Sequence, residues 1–117
     1  MSQIGFMITS SPHGGTGSRS FYLLAAAALE KGHGVHAFFC QDGVYQCLGT
    51  QVPSPGSNFS SSDYLTALVK RGAHITVSSQ CMKLRGIPAK VLCEGVRVGS
   101  YEALGKVLDE VDKVVCL

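Results

Sequence analysis

A chain of 117 residues can bury one hydrophobic core but is too short for two, so a single domain over residues 1–117 is expected. Hydrophobic residues make up 45% of the chain and charged residues only 15%, a balance that excludes a disordered tail. The formal net charge of +2, with scattered Lys and Arg and few aromatic residues, argues against nucleic-acid binding by the chain itself.

The sequence contains neither an apolar stretch long enough for a membrane span nor a secretory signal pattern at its start. We therefore expect a cytoplasmic protein that does not engage a membrane. Its cysteines are five in number and include no Cys-x-x-Cys pair, which argues against a disulfide framework and a paired zinc site. Free thiols, with no metal or organic cofactor, are the expectation. The five are Cys40, Cys47, Cys81, Cys93 and Cys116.

Strand-like and helix-like segments alternate along the chain. The first helix is rich in alanine, which would let it lie close against a sheet, and either Thr16 or Ser18 could cap it. Leu104, Val107 and Leu108 of the last helix are expected to face inward. The predicted elements in chain order are a strand at 3–9, a loop at 10–17, a helix ending near 31, a strand at 35–40, a turn at 41–43, a short helical piece at 44–48, a loop at 49–62, a helix at 63–70, a strand at 75–77, a short helix closed by Gly86, a connecting segment at 88–98 with at most one short strand, a helix at 101–110 capped by Ser100, and a strand at 113–117.

This alternation predicts an α/β fold, a three-layer sandwich with a mainly parallel sheet and helices on both faces. In such sheets the functional crevice lies beyond the carboxyl ends of the strands. Four features would meet at that edge, the last of them only if the final strand runs parallel to the others. They are the glycine-rich loop at 13–20, Cys40 with the turn at 41–43, Cys81, and Cys116.

Residues 75–86 carry the clearest chemical signal. A β-branched strand leads into Ser78 and Ser79, two good N-cap residues, and then into helix formers closed by Gly86. Cys81 therefore falls in the first turn of a helix that begins at a strand end. Backbone N–H groups there favour a thiolate, the reactive form of cysteine.

Lys83 and Arg85 add positive charge near Cys81 and would favour the thiolate further or dock a partner. The alternative interpretation of Cys81 is a buried cysteine on the inner face of a short helix. Cys40 and Cys116 are candidates for a second thiol, although a core role would explain either of them equally well. No Ser-His-Asp order and no pair of carboxylates is placed for hydrolysis, and Asp42 is expected to be isolated.

The glycine-rich loop at 13–20 has a weaker signal. A phosphate-binding P-loop needs Gly-Lys followed by Ser or Thr, and here Gly17 is followed by Ser18 and Arg19. A flexible turn between strand and helix is the simpler interpretation. Nucleotide binding at this loop is a third, weaker hypothesis.

Several segments together resemble the DsrE/TusD group of small sulfur-relay proteins, and the resemblance covers nearly the whole chain. Its most specific part is a Phe-Phe-x-x-Asp-Gly-Val pattern followed later by Arg-Gly. The matching segments are Ala28-Leu29-Glu30-Lys31-Gly32-His33, Phe-Phe-x-x-Asp-Gly-Val at 38–44, the segment from Cys81 to Arg-Gly-Ile at 85–87, and Asp112-Lys113-Val114-Val115.

The resemblance implies a flavodoxin-like, DsrEFH-like α/β sandwich that assembles into oligomers. It also implies a sulfurtransferase or carrier that holds sulfur as a cysteine persulfide, in tRNA thiolation or in sulfur oxidation. In DsrE and TusD themselves the sulfur-carrying cysteine lies at the position that Ser78 occupies here. Other members carry a cysteine three residues later, which matches Cys81.

Two hypotheses follow. In the first, the protein is a sulfur carrier that uses Cys81 and interacts with sulfur donor and acceptor proteins. In the second, it is a non-catalytic subunit, structural or ligand-binding, within an oligomeric complex. Both allow a homo-oligomer or a hetero-complex of related subunits.

Overall fold

The computed structural model describes residues 2–13, 17–53, 55–57 and 60–117. Within them, five strands form one sheet in the order β4-β3-β2-β1-β5, and every neighbouring pair is parallel. The strands are β1 (Gln3–Ile8), β2 (Gly34–Phe39), β3 (His74–Ser78), β4 (Arg97–Gly99) and β5 (Lys113–Cys116). The helices are α1 (Gly17–Glu30), α2 (Ser61–Lys70), α3 (Ser79–Leu84) and α4 (Tyr101–Glu110), with 3-10 helices at Gln41–Cys47 and Ala89–Val91. The predicted α/β sandwich with a parallel sheet is confirmed.

The core lies between the sheet and helices α1 and α2. Phe21 of α1 is fully buried and makes edge-to-face contacts with Phe6 of β1 and Phe39 of β2, at centroid distances of 5.1 and 5.5 Å. Ala25 and Ala28 are buried on the same helix. Because alanine has no bulk beyond Cβ, these positions let α1 approach the strands closely, as the sequence predicts.

The opposite face of the sheet is covered by α4. Phe38 points to that face, because its neighbour Phe39 points to α1, and its ring lies 6.1 Å from that of Tyr101, the first residue of α4. Leu104 and Val107 are half-buried there, but Leu108 is 42% exposed. The expectation that Leu108 faces inward is therefore wrong, whereas Leu104 packs against the buried core.

The other predicted elements differ from the structure mainly at their ends. The turn expected at 41–43 is the start of the 3-10 helix Gln41–Cys47. Helix α2 begins two residues before its predicted start, because Ser60 caps it. The connecting segment at 88–98 contains a 3-10 turn and the first part of the edge strand β4. Thr16 and the side chain of Ser18, the candidate caps of α1, lie outside the described residues, as does the centre of the glycine-rich loop.

Candidate functional site

The predicted turn from strand to helix is present at Cys81. Strand β3 ends at Ser78, whose hydroxyl oxygen accepts a hydrogen bond from the Cys81 backbone N–H at 3.2 Å. This bond satisfies an amide at the start of α3 that has no partner within the helix. Ser78 is 1% exposed and Cys81 is 4% exposed. The cap therefore fixes the position of Cys81 inside the protein, at the carboxyl edge of the sheet.

Two other elements supply the hydrogen-bond donors at the Cys81 sulfur. The backbone N–H of Gln41, just after β2, donates to Cys81 Sγ at 3.1 Å. The hydroxyl of Tyr101, at the start of α4, lies 3.5 Å from the same sulfur. The sequence predicts that amides of the cysteine's own helix would face the thiol. The structure instead brings one donor from the 3-10 helix after β2 and one from α4, which meet α3 at this edge.

Gln41 adopts an unusual backbone conformation at this contact. Its φ is 52°, in the left-handed region, and it is the only residue other than glycine with a positive φ among the described residues. A residue with a Cβ pays strain energy there. The residue with this strained conformation is thus the one whose N–H donates to Cys81 Sγ.

Arg85 is held beside the cysteine by two groups. Its Nε and Nη2 each lie 3.1 Å from Asp42 Oδ1, and its Nη1 donates to the Cys81 carbonyl oxygen at 3.3 Å. Asp42 therefore pairs with a cation and not with a second carboxylate, because the 3-10 helix after β2 carries it to the end of α3. This arrangement places a fixed positive charge next to the cysteine.

These contacts favour the thiolate. Burial alone would raise the pKa of the Cys81 thiol. Hydrogen bonds with Ser78, Tyr101 and the Gln41 N–H, together with the charge of Arg85, outweigh burial and lower that pKa below its ordinary value. A cysteine with a lowered pKa has a larger thiolate fraction near neutral pH. The site can therefore present a sulfur nucleophile.

The remaining predicted site residues lie at varying distances from this centre. Ser79 is the first residue of α3 and is half-buried. Lys83 is exposed, and it is not among the groups that lower the pKa of Cys81. Of the two predicted cations, Arg85 is the one that acts on the thiol.

Cys40 lies at the end of β2 and interacts electrostatically with Cys81. It immediately precedes Gln41, and the pairing of Phe39 with Val77 brings the ends of β2 and β3 to the same level. Burial, and then the neighbouring Cys81 and Cys116, raise the pKa of Cys40. Cys40 is therefore a protonated neighbour rather than a second thiolate.

The other three cysteines divide into one exposed and two buried thiols. Cys116 is exposed on β5, where it pairs with Met7 of β1. Cys47 and Cys93 are buried, and burial raises the pKa of both, as expected for small apolar core residues. All five cysteines are free thiols in the structure.

Sequence reasoning assigned no chemical role to Tyr101 or Gln41. Tyr101 was predicted only as the first residue of a helix. The signal that could have pointed to it is its place after β4, because that edge of the sheet also carries Cys81. Gln41 gives no such signal, since it acts through a backbone N–H that every residue except proline possesses.

The described residues contain no cluster of three or more His, Cys, Asp or Glu side chains that could hold a metal ion. Among the helices in the described ranges, none combines the length and the apolar character that crossing a bilayer requires.

Comparisons with known proteins show which family this chain belongs to. The uncharacterized protein MJ0989 of Methanocaldococcus jannaschii is 31% identical over 109 residues, which are 93% of this chain and 94% of that protein. The uncharacterized protein MK0008 of Methanopyrus kandleri is 27% identical, over 96% of this chain and 91% of its own length. The crystal structure of the YchN protein from E. coli superimposes over the full length of both chains with a TM-score of 0.90 at 24% identity, which supports the fold. The sequence profile of the DsrE/DsrF-like family matches residues 2–117, so this chain belongs to the DsrE/DsrF-like family.

Proposed function

We propose that the protein is a small cytoplasmic sulfur carrier that holds sulfur as a persulfide on Cys81. The observation that carries the proposal is the pair of donors at the Cys81 sulfur, the Gln41 N–H at 3.1 Å and the Tyr101 hydroxyl at 3.5 Å. Donors placed around a buried sulfur stabilise its anion. A thiolate is the form that attacks another sulfur atom.

In the loading step, the Cys81 thiolate attacks the outer sulfur of a donor persulfide. A bond forms between Cys81 Sγ and that sulfur, and the bond to the donor sulfur breaks. The electron pair of the broken bond leaves with the donor thiolate, so no separate oxidant or reductant is needed. The stored sulfur then passes to an acceptor cysteine on a partner protein by the same exchange.

Membership of the DsrE/DsrF-like family supports a role related to sulfur relay. Ser78, at the position of the cysteine of DsrE and TusD, serves as the cap that orients Cys81. Arg85, bridged to Asp42, supplies the positive charge. Lys83 is exposed at the end of α3 and is suited to contact with a partner.

Exposed apolar side chains support association with other subunits. Val98, Leu108 and Val114 are each more than two-fifths exposed. A homo-oligomer or a hetero-complex with related subunits would cover them. Cys116, exposed at the carboxyl edge, is a candidate second thiol in such exchanges, and so is Cys40.

The second candidate function is a non-catalytic subunit of an oligomeric complex. The burial of Cys81 favours it, because a residue that is 4% exposed offers little surface to an incoming protein thiol. In this case the hydrogen bonds at Cys81 would serve only to hold α3, β2 and α4 together.

Intact-mass measurement after incubation with glutathione persulfide distinguishes the two functions. Wild type is expected to gain the mass of one sulfur, and Cys81→Ser is expected to gain none. Cys116→Ser is the matched control, because it removes an exposed thiol at the same edge of the sheet. Thermal melting of each variant checks that the fold is retained.

Two results would contradict the assignment of the carrier function to Cys81. A gain that survives in Cys81→Ser and disappears in Cys116→Ser would move the carrier to Cys116. Wild type that gains no sulfur would contradict the carrier function and favour the non-catalytic subunit.

A further inference from the structure

Tyr101 is fixed at the edge of the site by its place in α4. The Ser100 hydroxyl oxygen accepts a hydrogen bond from the Ala103 N–H at 3.4 Å, which sets the start of the helix at Tyr101. The Tyr101 ring lies 6.1 Å from that of Phe38, and its hydroxyl lies 3.5 Å from Cys81 Sγ. The tyrosine therefore leans over the carboxyl edge of the sheet with its polar end at the thiol.

Tyr101 differs from the other groups at the cysteine in its exposure. It is 53% exposed, whereas Cys81, with which its hydroxyl is in contact, is 4% exposed. The Gln41 N–H is part of the backbone, and Arg85 is already bound to Asp42 and to a carbonyl oxygen. Of the donors described at this sulfur, Tyr101 is thus the side chain that is most open to solvent.

We propose that Tyr101 is a catalytic residue of sulfur transfer, whose hydroxyl donates a hydrogen bond to Cys81 Sγ as that sulfur becomes the leaving thiolate. The inference rests on the proposed carrier function, because it concerns the step in which the stored sulfur is released.

The release step explains why a donor is needed there. A thiolate on the acceptor attacks the outer sulfur of the Cys81 persulfide, a bond forms between those two sulfurs, and the bond to Cys81 Sγ breaks. The electron pair stays on Cys81 Sγ, and the proton of the outer sulfur stays on the new persulfide. Negative charge thus moves from the acceptor to Cys81 Sγ with no net oxidation. A hydroxyl 3.5 Å from Sγ becomes a stronger hydrogen-bond donor as that charge develops.

The titration of the two side chains agrees with this role. The hydrogen bond with Tyr101 is one of the causes that lower the pKa of Cys81, and the bond to Cys81 is the main cause that raises the pKa of Tyr101. Both directions are those expected when a phenol donates to a thiolate. The other titratable groups that interact with this sulfur are Cys40 and Arg85.

Two substitutions distinguish the effect of the Tyr101 hydroxyl from the effect of its ring. Tyr101→Phe removes the donor and keeps the ring over the cysteine, whereas Tyr101→Ala removes both. Tyr22→Phe is the matched control, since Tyr22 stacks on Tyr64 between α1 and α2, on the opposite face of the sheet. The first measurement is the rate at which iodoacetamide alkylates Cys81 as a function of pH, read from the mass of the Cys81 peptide.

Tyr101→Phe is expected to shift the midpoint of this profile to higher pH, so that the rate at neutral pH falls about threefold, while the plateau at high pH is unchanged. Tyr101→Ala is expected to show the same shift together with a higher plateau, because the sulfur is less covered. Tyr22→Phe should match wild type. Unchanged midpoints in both Tyr101 variants would overturn the proposal and leave Tyr101 as a cover only.

The second measurement is single-turnover release of sulfur from loaded protein to an excess of free cysteine. Tyr101→Phe is expected to release sulfur about threefold more slowly than wild type or Tyr22→Phe at the same pH. Equal rates would overturn the leaving-group role. Failure of wild type to load would instead be a failure of the carrier function, and the two failures are therefore distinguishable.

Discussion

Gly43 holds the 3-10 helix after β2 against the end of β1. A Cβ at this position would collide with the backbone oxygen of Ile8, a contact closer than real Cβ atoms make. Gly43 is also buried. Since the collision is with backbone, no rotamer change can relieve it. The 3-10 helix would have to move, and Gln41, its first residue, would move with it.

We therefore expect Gly43→Ala to destabilise the fold by about 1–3 kcal/mol, measured by urea unfolding. Gly105→Ala is the matched control. Gly105 lies inside α4, and nothing is within 4 Å of its added Cβ. This substitution should stabilise the protein by about 0.5–1 kcal/mol through helix propensity. A Gly43→Ala variant as stable as wild type would contradict the close approach of the two backbones.

At the level of single residues, the turn that carries Cys81 and the cap before it could be predicted from the sequence because both depend on local signals. A serine at a strand end followed by helix formers predicts the turn, and the structure has Ser78 in that role. The contacts of the sulfur could not be predicted in the same way. Tyr101 and Gln41 are separated from Cys81 by 20 and 40 positions, and only the folded sheet edge brings them together.

Among the helices whose caps lie in the described residues, α2 has the most complete capping. The Ser60 hydroxyl oxygen accepts from the Asp63 N–H at 3.3 Å, and an Asp63 carboxylate oxygen accepts from the Ser60 N–H at 2.9 Å. This reciprocal pair is a capping box, which satisfies two backbone amides at once. It anchors the first turn of the helix.

Ser60→Ala is expected to cost about 1 kcal/mol of stability, because the Asp63 amide loses its partner. Asp63→Ala should have a similar effect through the Ser60 amide. Since the two residues form one box, the double variant should lose less than the sum of the single losses, measured by thermal unfolding in a double-mutant cycle. Strict additivity would show that the two hydrogen bonds act independently.

Helix positions were predictable where a cap or a stop residue marks them. Ser100 and the predicted helix at 101–110 agree with α4 as observed. The 3-10 helix Gln41–Cys47 was predicted only in its second half, because its start depends on the positive φ of Gln41 and on the approach of Gly43 to β1. Both are tertiary effects that no local pattern encodes.

On the scale of the whole molecule, a pair of histidines links β2 and β3 on the α4 face. The rings of His36 and His74 stack at 4.9 Å, and His36 Nε2 lies 2.8 Å from Gln3 Oε1. Burial, and then the charge of His74, lower the pKa of His36 below 6.5, while Glu110 acts in the opposite direction. The folded protein therefore binds this proton less readily than the unfolded chain.

The consequence is a loss of stability in mild acid. The contribution of His36 is fully present above pH 6.5 and decreases as the pH falls from 6.5 towards its lower folded pKa. We expect the melting temperature of His36→Gln to fall less steeply with pH over that range than that of wild type. His74→Gln should give an intermediate slope, because burial of His36 remains. Identical slopes for all three proteins would contradict this account.

The fold class followed from the alternation of strands and helices, which needs no knowledge of distant contacts. The order of the strands did not follow. After β4 has paired with β3, the free edge of β1 is at the other side of the sheet. The chain crosses through α4 to that side, and β5 pairs there with β1.

The pairing of the first strand with the last has a consequence for synthesis. Gln3 donates its N–H to the carboxylate of Asp112, 109 positions later. On the ribosome, β1 emerges early and can pair with β2, but its other edge has no strand to pair with until β5 has been made. An open edge beside Phe6 and Ile8 is a template for pairing with another chain. A chain released before β5 is complete is therefore expected to aggregate or to be degraded.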